Sequence, residues 1–156
     1  MADALKTQTS LYERDFYAWT VDQAAKLRAR ATFDNRGDID WENAAEEIES
    51  VGDSQRSEIE SRMNVLLLHL LKWARQPSHR SGSWKATIVE QRSRMRRRLA
   101  KSPSLRGYPA EVMAEEYALA RTLAMVETGL PDGVFPLVCP FTIDQILDPD
   151  FYPDAE

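Results

Sequence analysis

The residues of this chain most able to do chemistry are two histidines, a single cysteine, a flank of glutamates and a run of arginines. A di-metal site inside a helical bundle needs Glu-x-x-His pairs, because ligands three apart on a helix project to one interior point. The residues three before His69 and His79 are Leu66 and Gln76, so that motif is absent. Two histidines also cannot supply a three-histidine site within one chain. Glu42, Glu46 and Glu49 fall on one flank of a helix, where the expected state is a solvated or ion-paired face. No metal and no other cofactor is implied.

His69 lies among leucines in VLLLHLLKW. Burial disfavours its charged form, so the expectation is a neutral, hydrogen-bonded core group. No Ser or Cys nucleophile motif accompanies it, and no catalytic residue is assigned. Cys139, between Val138 and Pro140, reads as a small packed hydrophobe.

Trp73, Pro77 and Trp84 gather at one hairpin end with His79, Arg80 and Lys85. This is a tryptophan plug on the core, or else a pocket where an anionic group meets Arg80 over an indole face. The run Arg92, Arg94, Arg96, Arg97 and Arg98 could neutralise phosphates. A helical wheel spreads these five over three sides rather than one stripe. Arg92 and Arg96 flank the apolar face, placed to pair with carboxylates of neighbouring helices, and Arg97 points outward. By register Arg98 should lie near Glu58 or Glu60. The candidate interaction surface is thus Arg80, Lys85, Arg94 and Arg97, and the candidate polar groups near the core are His69, Arg92, Glu58 and Glu60.

The elements that must position these residues are helices. From Trp41 to Trp73 the positions Trp41, Ala45, Ile48, Gly52, Gln55, Ile59, Met63, Leu66, Leu70 and Trp73 recur at steps of three and four, the helical period. After Val65 the helix is apolar almost all round, so that end is buried on several sides. Asp40 caps it, and Pro77 stops it. Gly52, on the inward face, marks close helix approach, a mild kink or a break.

Before it, Ser10 and Glu13 form a capping box that opens a helix ending near Ala31, with Tyr12, Phe16, Trp19, Gln23 and Leu27 inward. Residues 1–9 look frayed, and Asp34 to Asp38 read as a turn. After it, Ser83 caps a third helix with Trp84, Ile88, Gln91, Met95 and Leu99 inward. Ser102-Pro103 opens a short turn. A fourth helix runs from about Pro109 to Glu127, faces inward with Val112, Met113, Tyr117, Ala120 and Ala124, and is capped by Gly129. The last stretch, LPDGVFPLVCPFTIDQILDPDFYP, holds five prolines in 24 residues yet keeps Phe135, Phe141, Ile146, Leu147 and Phe151. It should lie extended across the bundle, with one short helix capped by Thr142 and Gln145.

The result is an all-α, four-helix-bundle-like domain over residues 10–153, with one long central helix and an extended proline-rich C-terminal segment packed on it. Folding back about residue 36, the first helix covers the N-terminal half of the long one. Folding back about residue 79, the third covers only its C-terminal half. At 156 residues, 43% hydrophobic and 29% charged, the chain can bury one substantial core. It has no apolar run near the ~20 residues of a membrane span. Its start lacks a secretory h-region, and its lone cysteine suits a reducing cytoplasm.

The net charge of −5 conceals a segregation. Residues 1–71 carry −6, residues 72–106 carry +10, and residues 107–156 carry −9. A basic middle between acidic flanks serves an anionic partner or its own neighbours.

DFYAWT, DWENAAEEIE, LLLHLLKWARQP, RSGSWKATIVEQR, SPSL and CPFTIDQILDPDFYP, in this order over residues 11–153, resemble the bacterial family catalogued as domain of unknown function twenty-nine. The resemblance implies a helical, bundle-like fold and no established activity. The expected function is a cytoplasmic helical module that binds another protein. A nucleic-acid-associated protein using the arginine-rich helix comes second, and a metal- or acid-base-dependent enzyme third.

Overall fold

The structure, a computed structural model, describes residues 9–33 and 37–154, and every regular element among them is helical. In order these are α1 (Leu11–Arg14), α2 (Phe16–Phe33), α3 (Trp41–Arg75), α4 (Gly82–Lys101), α5 (Tyr108–Thr128) and α6 (Ile143–Leu147). Short 3-10 turns occupy Pro77–His79, Pro103–Leu105 and Asp132–Val134. The frayed stretch expected over residues 1–9 lies, apart from Thr9, outside the described residues, as do Asp34, Asn35 and Arg36 of the expected turn. The chain divides into two compact units, one holding the chain through Gln55 plus Leu99–Arg106, the other Arg56–Arg98 plus Gly107 onward.

In the first unit, the helix expected to run uninterrupted from Ser10 breaks at Asp15, whose backbone is extended at φ −156° and ψ 95°. The break frees the Asp15 carboxylate to cap α2, accepting from Ala18 N at 2.9 Å. It also accepts from Ser104 N at 2.7 Å and Ser104 Oγ at 2.8 Å. Ser102, fully buried, accepts a second α2 amide, Tyr17 N, at 3.1 Å. Two N-terminal amides of α2 are therefore satisfied by side chains, as a helix start requires.

The inward face of α2 is also turned from the expected one. Thr20 and Ala24 are its buried residues, while Tyr12, Phe16 and Trp19 form a partly exposed cluster, the Tyr12 and Trp19 rings 4.9 Å apart edge-on. The cause is Gly52. A Cβ placed there would stand 3.3 Å from Thr20 Cβ and deep inside contact distance of its hydroxyl. The seam seats Thr20, with Tyr17 Cε2 3.6 Å from the same Cβ position, and Tyr12, Phe16 and Trp19 stay partly exposed. The helix does not stop at Gly52, since α3 is continuous for 35 residues. Asp40 caps it by accepting from Asn43 N at 3.1 Å.

In the second unit, Ile59, Met63, Leu66, Leu67, Leu70 and Leu71 of α3 are fully buried, as the all-round apolar stretch requires. With them are buried Ile88 and Met95 of α4 and Tyr117, Ala120 and Ala124 of α5. The cap of α4 is Ser81 rather than Ser83, its hydroxyl accepting from Trp84 N at 3.2 Å. Gly129 closes α5 in the left-handed region at φ 69°, its amide donating to Met125 O. The proline-rich segment is docked: Phe135, Phe141 and Ile146 are buried, and α6 carries the complete Thr142–Gln145 capping box.

Candidate interaction site

At the end of α3 the chain turns through Pro77–His79, and the expected gathering of rings and cations forms. The Arg80 guanidinium lies 4.9 Å from the Trp73 ring centre. Its donors do not face outward, however. Nε donates to Trp73 O at 2.9 Å and Nη2 to Pro153 O at 3.3 Å. The Trp73 carbonyl belongs to the last turn of α3, where carbonyls lack intrahelical partners and the helix dipole favours a cation. The Tyr152 ring lies tilted at 50° to Trp73 with centres 5.1 Å apart, and Lys85 stands 5.4 Å over the Tyr152 ring. Lys72, almost buried, pairs with Glu127 at 2.8 Å and lies 4.8 Å over Trp84. The anion pocket anticipated at Arg80 is thus closed by the C-terminal segment, which supplies backbone oxygen in place of an external anion.

The arginine-rich helix divides three ways. Arg92, expected to find a carboxylate, is 3% exposed and finds carbonyls instead. Its Nε donates to Ile146 O at 2.9 Å and its Nη2 to Gln145 O at 3.3 Å, so it caps α6. A short helix has few groups of its own to satisfy those carbonyls, and a guanidinium suits them as well as a carboxylate would suit it. Burial lowers the Arg92 pKa, but an arginine keeps its charge.

Arg94 pairs along its own helix with Glu90 at 2.7 Å. Arg98 reaches Glu58, as register predicts, and Arg62 binds the same carboxylate at 2.6 Å. Burial pushes the Glu58 carboxyl up, but Arg62 and Arg98 outweigh it and hold the pKa below its ordinary value. Glu60 instead accepts from Tyr108 OH. Arg96, placed beside Arg92 by the wheel, is exposed, as is Arg97. Of the four residues expected to form an interaction surface, Arg80 donates to carbonyls, Lys85 lies over Tyr152, Arg94 pairs with Glu90, and Arg97 is exposed.

His69 is half-buried, with Nδ1 2.8 Å from Val65 O. That contact puts the proton on Nδ1 in the neutral ring. Burial lowers its pKa, and Lys72 adds to the effect. The Cys139 thiol is pushed up by burial, and Sγ lies 3.5 Å from Phe141 O. Glu42 and Glu49 flank Arg28, an ion-paired face as expected of them. No cluster of His, Cys, Asp or Glu able to hold a metal occurs among the described residues.

A feature not anticipated lies on α5 and the loop after it. Tyr117, buried, donates from its hydroxyl to Pro136 O at 2.6 Å. Arg121 donates from Nε to Phe135 O at 2.9 Å and from Nη2 to Asp132 O at 3.0 Å. Burial pushes the Tyr117 pKa up to about 12, so this donor keeps its proton. The loop so pinned presents Leu137 and Val138, 82% and 80% exposed. The available signal was two aliphatic residues together between prolines, in FPLVCP. A cleft of about 220 Å³ lies nearby, lined by Leu71, Phe141, Gln145 and Phe151 among others.

A family described as Domain of unknown function DUF29 matches residues 11–152. The chain belongs to this family. Among solved structures, the DUF29 fold seen here is similar to that of an alpha-helical protein of unknown function from Rhodospirillum rubrum. The two share 22% identity over 92% of this chain and 93% of the other, with a TM-score of 0.74. That likeness concerns the fold alone. No curated protein matches the chain. No helix among the described residues is long and apolar enough to cross a membrane.

Proposed function

We propose that this DUF29 chain is a cytoplasmic protein-interaction module, acting as one domain over residues 10–153. The observation that carries the reading is the Leu137–Val138 pair, aliphatic and about four-fifths exposed on a loop held from below by Tyr117 and Arg121. Exposed aliphatic side chains on an ordered element lose little entropy on docking and gain the burial they lack, which is how interface anchors work. The enzyme reading has less to support it, since His69 uses Nδ1 on its own helix and no nucleophile motif accompanies it in the sequence. The nucleic-acid reading keeps Arg96 and Arg97, but Arg92, Arg94 and Arg98 serve internal partners.

Two measurements on purified protein test this. Capture of a discrete partner from the native host's extract should be lost in Leu137→Asp/Val138→Asp while melting temperature stays unchanged. Capture that survives this double substitution removes the loop from the account. Retention of the wild type on mixed-sequence DNA and RNA should be negligible at low salt. Tight retention that weakens steeply with salt, and is abolished in Arg96→Ala/Arg97→Ala, would put nucleic acid first.

A further inference from the structure

Two helix faces in the second unit carry exposed apolar and charged residues among the described residues. On α5, Glu115, Leu119, Thr122 and Val126 follow one another at steps of four, three and four, so they form one line along the helix. Leu119 is 52% exposed and Val126 76%, and Glu111 and Glu115 extend the line as exposed carboxylates. On α4, Val89, Ser93 and Arg96 follow the same step of four and three, with Arg97 beside them. Val89 is 52% exposed, Ser93 half-buried, and Arg96 and Arg97 exposed. One face is thus apolar at its C-terminal end and acidic at its N-terminal end, and the other apolar first and basic last.

These two faces complement each other in antiparallel register. Val89 to Arg96 is two turns, and Glu115 to Thr122 is also two turns, each ~10.5 Å. Aligning Val89 with Thr122 sets Ser93 against Leu119, Arg96 and Arg97 against Glu115, and Val89 beside Val126. Glu111, one turn beyond, falls within reach of the same arginines. Glu116 is raised by burial and then by Glu60 and Glu115, with no cation lowering it. Flanking the two lines, Arg94 pairs with Glu90 and Glu127 with Lys72.

We infer that the partner is a second copy of this chain, with α4 of one copy laid antiparallel on α5 of the other along these two lines. This rests on the reading of the chain as an interaction module and names one of its partners. Opposite charges across the seam fix register and orientation, while the aliphatic residues supply burial. The steps of four and three common to both lines are those of side chains meshing between two helices.

The test is molar mass by light scattering of the full chain at about 0.01 M and about 1 M salt, where the screening length falls from about 30 Å to about 3 Å. The wild type should associate at low salt, with an apparent dissociation constant rising about tenfold or more at high salt. Arg96→Glu/Arg97→Glu and Glu111→Lys/Glu115→Lys should each be monomeric and retain wild-type helicity. Mixed one to one, the two should associate, because every seam in the mixed species again joins opposite charges. A wild type that is monomeric at low salt and high concentration overturns the inference, as do variants that remain apart when mixed. A monomer that captures a foreign protein through α5 replaces the second copy with that partner. Leu137→Asp/Val138→Asp should leave self-association intact, so failure of the loop and failure of the helix pairing are read separately.

Discussion

The two halves of α3 are built on opposite packing strategies. From Trp41 to Gln55 the helix meets Thr20 of α2 at Gly52 and buries the small Ala45, as α2 buries Ala24, and surface charge lies outside in the Arg28 pairs with Glu42 and Glu49. From Arg56 to Arg75 it buries leucines on nearly every side, and arginines work at the edge of the core. The first half gains close backbone approach and contributes little apolar area. The second gains area, and leaves helix ends and a long C-terminal segment whose carbonyls need donors. Arg80, Arg92 and Arg121 supply them. Cationic side chains thus hold the second unit together by capping backbone, a use that charge pattern alone does not suggest.

The largest effect should come from the leucine-rich half. Leu70→Ala should cost about 2–5 kcal/mol, because a fully buried side chain leaves a cavity. Urea denaturation reads this directly, and an unchanged midpoint would remove Leu70 from the core. Arg92→Ala should cost about 1.5–3 kcal/mol through lost charged hydrogen bonds to α6. Arg97→Ala, one turn away and in solvent, should stay within about 0.5 kcal/mol. Equal losses in the two would contradict the division of the basic helix.

The small-residue half should respond in the opposite sense to ordinary helix propensity. Gly52→Ala in an exposed helix would stabilise by about 1 kcal/mol. Here the added methyl meets Thr20, so the expected change is a loss of about 1–3 kcal/mol. Adding Thr20→Ala should recover part of it, and thermal melts of the single and double variants decide whether the contact is as tight as described.

The smallest effect is a pH slope. The His69 pKa is lowered from 6.5 by burial, so the unfolded chain takes up its proton first as pH falls. The stability this histidine contributes is present above its unfolded pKa and is lost as pH drops through the folded value. His69→Gln should flatten the melting temperature between about pH 7 and pH 5, above the range where carboxylates titrate. A slope identical to the wild type's would assign it elsewhere.

Much of this was legible in the amino-acid order. The long helix, its cap at Asp40, the fourth helix with its glycine stop, the docked tail and the Thr142–Gln145 box all follow from local rules: periodicity, capping chemistry and the apolar content of a proline-rich segment. So does the approach of Arg98 to Glu58 or Glu60, which needs only helix length and the position of a turn; the choice of Glu58 came with the fold. The break at Asp15 was not legible, because Ser102 and Ser104, which satisfy α2 and Asp15 there, lie some 85 to 89 residues away in sequence. The α2 face was misjudged for a related reason: hydrophobicity favours Phe16 and Trp19, whereas the close approach at Gly52 seats Thr20 and the edge of Tyr17.

By itself, then, the sequence determined what is local, namely where helices begin, run and stop, and which stretches must be buried. Only the tertiary structure decided which donors meet which acceptors. A guanidinium is satisfied by a carboxylate or by a carbonyl, and nothing in the sequence distinguishes them. Arg92 lies on α6, and Arg80 on Trp73 and Pro153, because the folded chain brings helix ends and tail carbonyls within 3.3 Å of them. A buried carbonyl without a donor is costly, and the nearest arginine was the group able to satisfy it.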